Sequence, residues 1–262
     1  MKNILDKIVA HKRKEVAEWK AQVPIKNLEA AETFSRRCFS LKESIRNSEK
    51  TGIIAEFKRK SPSKDIINDI AKVEEVTEGY TENGASGLSV LTDNYFFAGS
   101  SEDLKIARTV NAIPILRKDF VIDEYQIIEA KAIGADVILL IAECLSKEEI
   151  TRFTRLAKKL GLEVLLEMHS DKQLEKISIE NDIIGINNRD LTNFTVDIGR
   201  SIALSNQLPE KTLRIAESGI NDVAVIKRMK KAGFEGFLMG EYFMKNENPG
   251  TAFKEFVREL RA

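Results

Sequence analysis

From Gly52 to Gly240 the chain repeats one rhythm, a short apolar run, a polar strand end, then a stretch with helical spacing. The runs are "GIIAEF", "SGLSVLT", "AIPILRK", "DVILLI", "EVLLEM", "DIIGIN", "LRIAES" and "GFLMG". Between them, residues 70–83, 123–133, 147–160 and 222–232 place apolar side chains at helical intervals, which predicts helices there. Gly84, Gly134, Gly161 and Gly233 stand just before the next run, where glycine ends a helix by adopting the left-handed conformation at low cost. Strands alternating with helices require a parallel sheet, and a chain of 262 residues has room to close it into a (β/α)8 barrel. A doubly wound open sheet is the rival. No run here carries the G-x-G-x-x-G turn of a dinucleotide fold.

Ahead of this rhythm, Ile4, Leu5, Ile8, Val9, Val16 and Trp19 mark a first helix, and residues 41–48 a second, short one. The expected organisation is one barrel domain over 1–262, with residues 1–48 as an N-terminal helical extension. No low-complexity tract or linker divides the chain.

Charge and cysteine content narrow the function. Lys plus Arg equals Asp plus Glu at 41 each, so no net field favours nucleic acid as a partner. No apolar run reaches membrane-spanning length, and the opening "MKNILDKIVAHKRKEVAEWK" lacks the apolar core of a secretion signal. Cys38 and Cys144 lack metal-type spacing and fit reduced thiols of a cytoplasmic protein. Whether the chain is a monomer or a weak homodimer stays open.

In barrels of this class the active site is built at the C-terminal strand ends. The first run ends "AEFKRKSPSK", and strand alternation sends Glu56, Lys58 and Lys60 one way, Phe57 and Arg59 the other. A solvated edge strand would explain this stretch taken alone. The other strand ends argue for an active-site rim, since "ILRKDF", "LLEMHS", "GINNRD", "IAESGI" and "FLMGEYF" all place polar groups where packing needs none. In the fifth run Val164, Leu166 and Met168 form an apolar face for the helix layer. That turns Glu163, Leu165 and Glu167 inward, with Glu163 near the bottom and Glu167 at the mouth. Asn187 and Arg189 share one direction. In the third run Arg117 and Lys118 point oppositely, and which faces inward stays open. Ionisable groups gathered in one mouth shift one another's pKa values, as catalytic groups do.

The seventh and eighth strand ends point to an anionic ligand. "ESGI" precedes a helix start near Asn221, and "MGEYF" can open a short helix. Glycines there let backbone N–H groups approach a phosphate, which makes Ser218, Gly219 and Gly240 candidates. Ser61-Pro62-Ser63 adds a stiff loop with hydroxyl donors near the same mouth.

With these residues assembled, the chain resembles the indole-3-glycerol-phosphate synthases of tryptophan biosynthesis. The resemblance runs through the N-terminal extension, "AEFKRKSPSK", "SVLTDNYFFAGSSEDL", "ILRKDFVIDEYQI", "GADVILLIA", "GINNRDL", "IAESGI" and "LMGEYFM". It implies closure of the pyrrole ring of 1-(2-carboxyphenylamino)-1-deoxyribulose 5-phosphate, an anionic phosphosugar, with loss of CO2 and water and no metal or organic cofactor. By motif it implies Lys118 as general acid at the ketone oxygen and Glu167 as the base of later steps. Glu56 and Lys58 are implied as the pair at the departing hydroxyl, with Asn187 assisting. Which of the two lysines acts at which step stays open. The resemblance places Arg189 near a substrate anion, and Ser61, Ser218, Gly219, Gly240 and Glu241 along the phosphate and substrate. Phe97 and Phe120 would flank the anthranilate ring. Two positions depart from the family pattern. Asp65 follows "SPSK" where Gly is common, and Glu241 stands where some members carry Ser.

Two other readings compete with this one. A phosphoribosylanthranilate isomerase would need a thiol and a carboxylate at strand ends, and neither cysteine lies in such a motif. A non-catalytic phosphometabolite-binding barrel would need the glycine turns but not Glu56, Lys58, Lys118 and Glu167 together.

Overall fold

A computed structural model describes residues 4–62, 65–181, 183–189 and 195–262. Ser63 of the expected stiff loop lies outside the described residues, as do Asp190 and Leu191 of the sixth motif. Eight strands form one closed parallel barrel: β1 (Ile53–Phe57), β2 (Gly87–Leu91), β3 (Ile115–Lys118), β4 (Val137–Ile141), β5 (Glu163–Met168), β6 (Ile183–Asn187), β7 (Leu213–Glu217) and β8 (Gly236–Met239). Each pairs with its sequence neighbours, and β1 closes the ring on β8, with Ile53 opposite Phe237 and Ala55 opposite Met239. Every one of the eight apolar runs is a strand.

The helical stretches also stand where the spacing puts them, as Val73–Glu82, Glu124–Ala132, Lys147–Lys159 and Val223–Lys231. Gly84, Gly134, Gly161 and Gly233 carry φ between 78° and 96° just beyond these helices, the conformation that an L side chain would resist. Aspartate and serine side chains cap several starts, including Asp123, Ser146 and Asp222.

Alternation along the strands separates two apolar layers. Ile53, Ala55, Leu88, Ile115, Ile138, Val164, Leu166, Ile184 and Phe237 pack outward against the helices. Ile54, Leu116, Leu139, Leu165, Ile183, Ile215 and Leu238 fill the barrel interior. The floor is closed by the helix Leu41–Arg46, whose Leu41 and Ile45 join that inner layer. Glu163, inward at the start of β5, accepts from Ser40 Oγ at 2.6 Å, Leu41 N at 2.8 Å and Lys42 N at 3.2 Å, so the bottom carboxylate caps the floor helix.

At the opposite end, the N-terminal helix Ile4–Gln22 places Leu5 and Ile8 on the inner layer. Tyr125 Oη donates to Val23 O at 3.0 Å, and Lys20 pairs with Asp123 at 2.7 Å. One expectation fails here. Strand β1 stops at Phe57, and Lys60 belongs to a two-stranded hairpin with Asp65–Ile66. Its ammonium lies 3.9 Å from Asp65 and does not join the mouth, because alternation cannot be counted through the bend that ends a strand. Among the described residues, no helix is long and apolar enough to cross a membrane.

Candidate active site

The inward positions at the strand ends open into a cavity of about 510 Å³ at the C-terminal mouth of the barrel. Its floor is set by Glu56, Lys118, Glu167, Asn187 and Glu217, each the last or next-to-last residue of its strand. Lys58 lies two residues beyond Glu56 on the same side, and Lys58 Nζ sits 2.7 Å from Glu56 Oε1. Ser89 Oγ donates to the other oxygen of Glu56 at 3.2 Å. These contacts fix the carboxylate and hold the ammonium over it.

Lys118 and Arg117 part as strand geometry requires. Arg117 faces the helix layer and is fully buried, donating to Thr92 Oγ1, Gln126 O and Glu129 Oε2. Lys118 therefore turns inward. Its Nζ lies 3.1 Å from Glu167 Oε2 and 3.6 Å from Glu217 Oε2. Burial would lower the Lys118 pKa, but Glu167, Glu217 and Glu56 outweigh it and hold the ammonium above the ordinary lysine value. Glu167 Oε1 accepts from Asn187 Nδ2 at 2.9 Å, and His169 Nε2 stands 2.9 Å from the same oxygen. Burial opposes ionisation of Glu167, yet Lys118, His169 and Asn187 hold it well below the usual carboxylate range.

Glu217 takes the opposite course. Burial, followed by the charge of Glu167, pushes it up to about 8, with Lys118 opposing less strongly. Two neighbouring carboxyls are thus pushed in opposite directions, Glu167 toward its ionised form and Glu217 toward its protonated form. Gly185, inward on β6, is what admits Glu217: a Cβ there would collide with Glu217 Oε1. Gly240 does the same for Glu56, since its Cβ would stand 2.8 Å from the Glu56 carboxylate.

The rim carries the remaining expected residues. Ser218 and Gly219 follow β7 with φ of 69° and 68°, and Asn188 Nδ2 holds that turn by donating to Ser218 O at 2.8 Å. Glu241 opens the short helix Glu241–Met244, which follows Gly240 directly. Arg189 Nη2 reaches to 3.7 Å from Glu241 Oε2, so cation and carboxylate share that rim. Ser61, Phe97 and Phe120 line the same cavity, and the two rings lie 6.0 Å apart, tilted by 37°. All thirteen residues expected from the strand ends and the resemblance line this one cavity.

A family model described as indole-3-glycerol phosphate synthase matches residues 5–256. A relative of that name from Bacteroides thetaiotaomicron is 46% identical over 261 residues, covering 100% of both chains. Another, from Legionella pneumophila (strain Paris), is 40% identical and covers 99% of this chain and 100% of its own. The chain belongs to the indole-3-glycerol phosphate synthase family. Solved structures of more distant proteins share the barrel. Tryptophan synthase subunit alpha from Legionella pneumophila matches with a TM-score of 0.61 at 13% identity over 84% of this chain and 96% of its own. Thiamine phosphate pyrophosphorylase from Pyrococcus furiosus matches with a TM-score of 0.58 at 18% identity over 83% of this chain and 100% of its own.

Sequence reasoning missed two members of the charged group. Glu217 lacked the signal that turned Glu167 inward, because the opposite face of β7 carries Arg214 and Ala216 instead of an apolar row, and only the closed barrel shows Leu213, Ile215 and Glu217 pointing inward together. His169 had none, since it lies one residue past β5, where alternation no longer orders side chains. The thiols stand apart from the cavity lining. Burial, then Glu167, pushes Cys144 up to about 12, and Cys38 lies 3.1 Å from Lys131 Nζ, away from the mouth. Such a placement gives no support to the isomerase reading.

Proposed function

We propose that this chain closes the pyrrole ring of 1-(2-carboxyphenylamino)-1-deoxyribulose 5-phosphate, giving indole-3-glycerol phosphate, CO2 and water. One observation carries the assignment of roles: Lys118 Nζ stands between two carboxyl groups on the cavity floor, 3.1 Å from Glu167 and 3.6 Å from Glu217.

The reaction needs a proton at the ketone oxygen while the ring carbon bearing the carboxylate attacks the ketone carbon. Lys118 supplies it. A developing alkoxide is a far stronger base than a neutral amine, so the transfer runs downhill as the C–C bond forms, even from an ammonium that its neighbours stabilise. Loss of CO2 returns the electrons of the broken C–C bond to the ring. The hydroxyl left from the ketone then departs as water, protonated by Lys58 with Glu56 fixing that ammonium. Glu167 takes the proton that restores aromaticity. Its hydrogen bond from Asn187 and its contact with Lys118 keep it ionised until then. Glu217, pushed toward its protonated form by burial and by Glu167, places less negative charge beside an anionic substrate.

The phosphate falls to Ser61 and to the backbone at Ser218, Gly219, Gly240 and Glu241, with Arg189 at a substrate anion. At Glu241 the backbone N–H is the donor, because its carboxylate repels phosphate and leans toward Arg189 instead. Phe97 and Phe120 form an apolar wall for the flat anthranilate ring. The reading is tested by incubating the protein with the carboxyphenylamino deoxyribulose phosphate and following indole fluorescence. Growth of that signal with release of CO2 is expected, and substrate that stays intact in the presence of folded protein refutes it.

A further inference from the structure

The N-terminal helix is joined to the mouth by a charge cluster as well as by its apolar stripe. Lys12 has no exposed surface, and its Nζ lies 2.5 Å from Glu15 Oε2, 2.9 Å from Asp93 Oδ2 and 3.0 Å from Asp119 Oδ1. Trp19 covers it from the same helix, with its ring centre 5.5 Å away. A lysine loses its hydration in such a place and is tolerated only with compensating carboxylates. Here burial acts against the Lys12 charge, and Asp119 and Asp93 outweigh it.

The two aspartates come from different strand ends. Asp93 follows β2 and caps the turn Asn94–Phe97 by accepting from Phe96 N at 2.8 Å. That turn carries Phe97 to the cavity wall. Asp119 follows β3 and stands between Lys118 and Phe120. It accepts from Thr92 Oγ1 at 2.6 Å and from Phe120 N at 2.8 Å, and Arg117 reaches it at 3.4 Å. The residues flanking Asp119 in the chain are therefore an ammonium of the cavity floor and a ring of its wall. His11 adds a weaker seam, 4.5 Å from the Tyr95 ring. Apolar packing is non-directional, so the contacts of Leu5 and Ile8 can seat the helix without fixing where a strand end points. A buried ammonium about 3 Å from two carboxylates holds both at a fixed distance, because separating charges in a dry interior is costly.

We propose that Lys12 is a positioning residue, whose ammonium ties the ends of β2 and β3 together through Asp93 and Asp119 and so sets where Lys118 and the Phe97–Phe120 wall stand. The proposal rests on the reading of Lys118 as the acid. Turnover by the wild-type chain, and its loss in Lys118→Ala, test that reading by themselves. The clamp is tested by comparing Lys12→Met, Asp119→Asn and the double variant with wild type in kcat, KM and Tm.

Each single change is expected to lower kcat per folded molecule by about tenfold to a hundredfold, since a small displacement of a reacting group costs that much. The factor in kcat should exceed the factor in KM, and the double variant should be no slower than the slower single, because both break one contact. Lys12→Met takes the ammonium from Asp93 and leaves Asp119 with Arg117 at 3.4 Å, and can fail to fold. The double variant removes a charge of each sign and keeps the test open, a slow folded enzyme supporting the clamp. A kcat within about twofold of wild type, with only Tm lowered, would make Lys12 a structural anchor and overturn the proposal, as would additive losses in the cycle.

Discussion

Glu217 and Gly185 show how closely the residues of this site depend on one another. The fold pushes Glu217 up to about 8, whereas in the unfolded chain a glutamate titrates at about 4.3. Between those values the folded state binds the extra proton, so this group's contribution to stability is full below the unfolded pKa and is lost as pH rises through about 8. Glu217→Gln cannot ionise and should flatten the fall of Tm between pH 5 and 9. An unchanged slope would show that Glu217 is ionised in the fold. Gly185→Ala should displace Glu217 from beneath Lys118 and lower activity, although the added methyl is small. Wild-type kcat in that variant would mean the carboxyl has room to move aside. Asp65 offers a milder case. Its φ of 53° explains why a glycine suits this position, and aspartate is among the few other residues that tolerate it.

Among the elements, the two helices outside the repeating rhythm close the two ends of the barrel. The floor helix Leu41–Arg46 is too short to hold itself and depends on the Glu163 carboxylate at its start. Glu163→Ala should destabilise the fold by about 1–3 kcal/mol, the cost of buried donors left without a partner. Its kcat should stay at the wild-type value, since Glu163 lies at the opposite end from the mouth. A large loss of kcat without loss of Tm would contradict that division of roles. Deletion of residues 1–20 should impair activity and leave most secondary structure in the circular dichroism spectrum, because Leu5 and Ile8 line the cavity roof while the strands pair without them. Strand and helix positions were legible because period 2 and period 3.6 are properties of local sequence. The inward turn of Glu167 followed from the apolar faces of β5. The choice between Arg117 and Lys118 did not, since β3 offers too few apolar residues, and only Gln126 O and Glu129 across the helix layer settle it.

For the molecule as a whole, barrel closure was legible from eight like units, whereas its long-range charge contacts were not. Lys12 sits in "HKRKE" and reads as part of a solvated face, yet it is buried because two strand ends, 81 and 107 residues further on, bring their aspartates to it. No local pattern records such a meeting. The residues proposed to bind the phosphate also come from separate turns that only the closed ring brings together. Lys118, held at the crossing of these strand ends, is the proposed acid of ring closure. Comparison of kcat in Lys118→Ala and Lys118→Arg with wild type tests it most directly. A loss of at least about a hundredfold is expected in both folded variants, because a general acid contributes that much and guanidinium keeps its charge without giving up a proton. Near-normal kcat in the arginine variant would contradict it, leaving Lys118 as an electrostatic anchor and Lys58 as the acid.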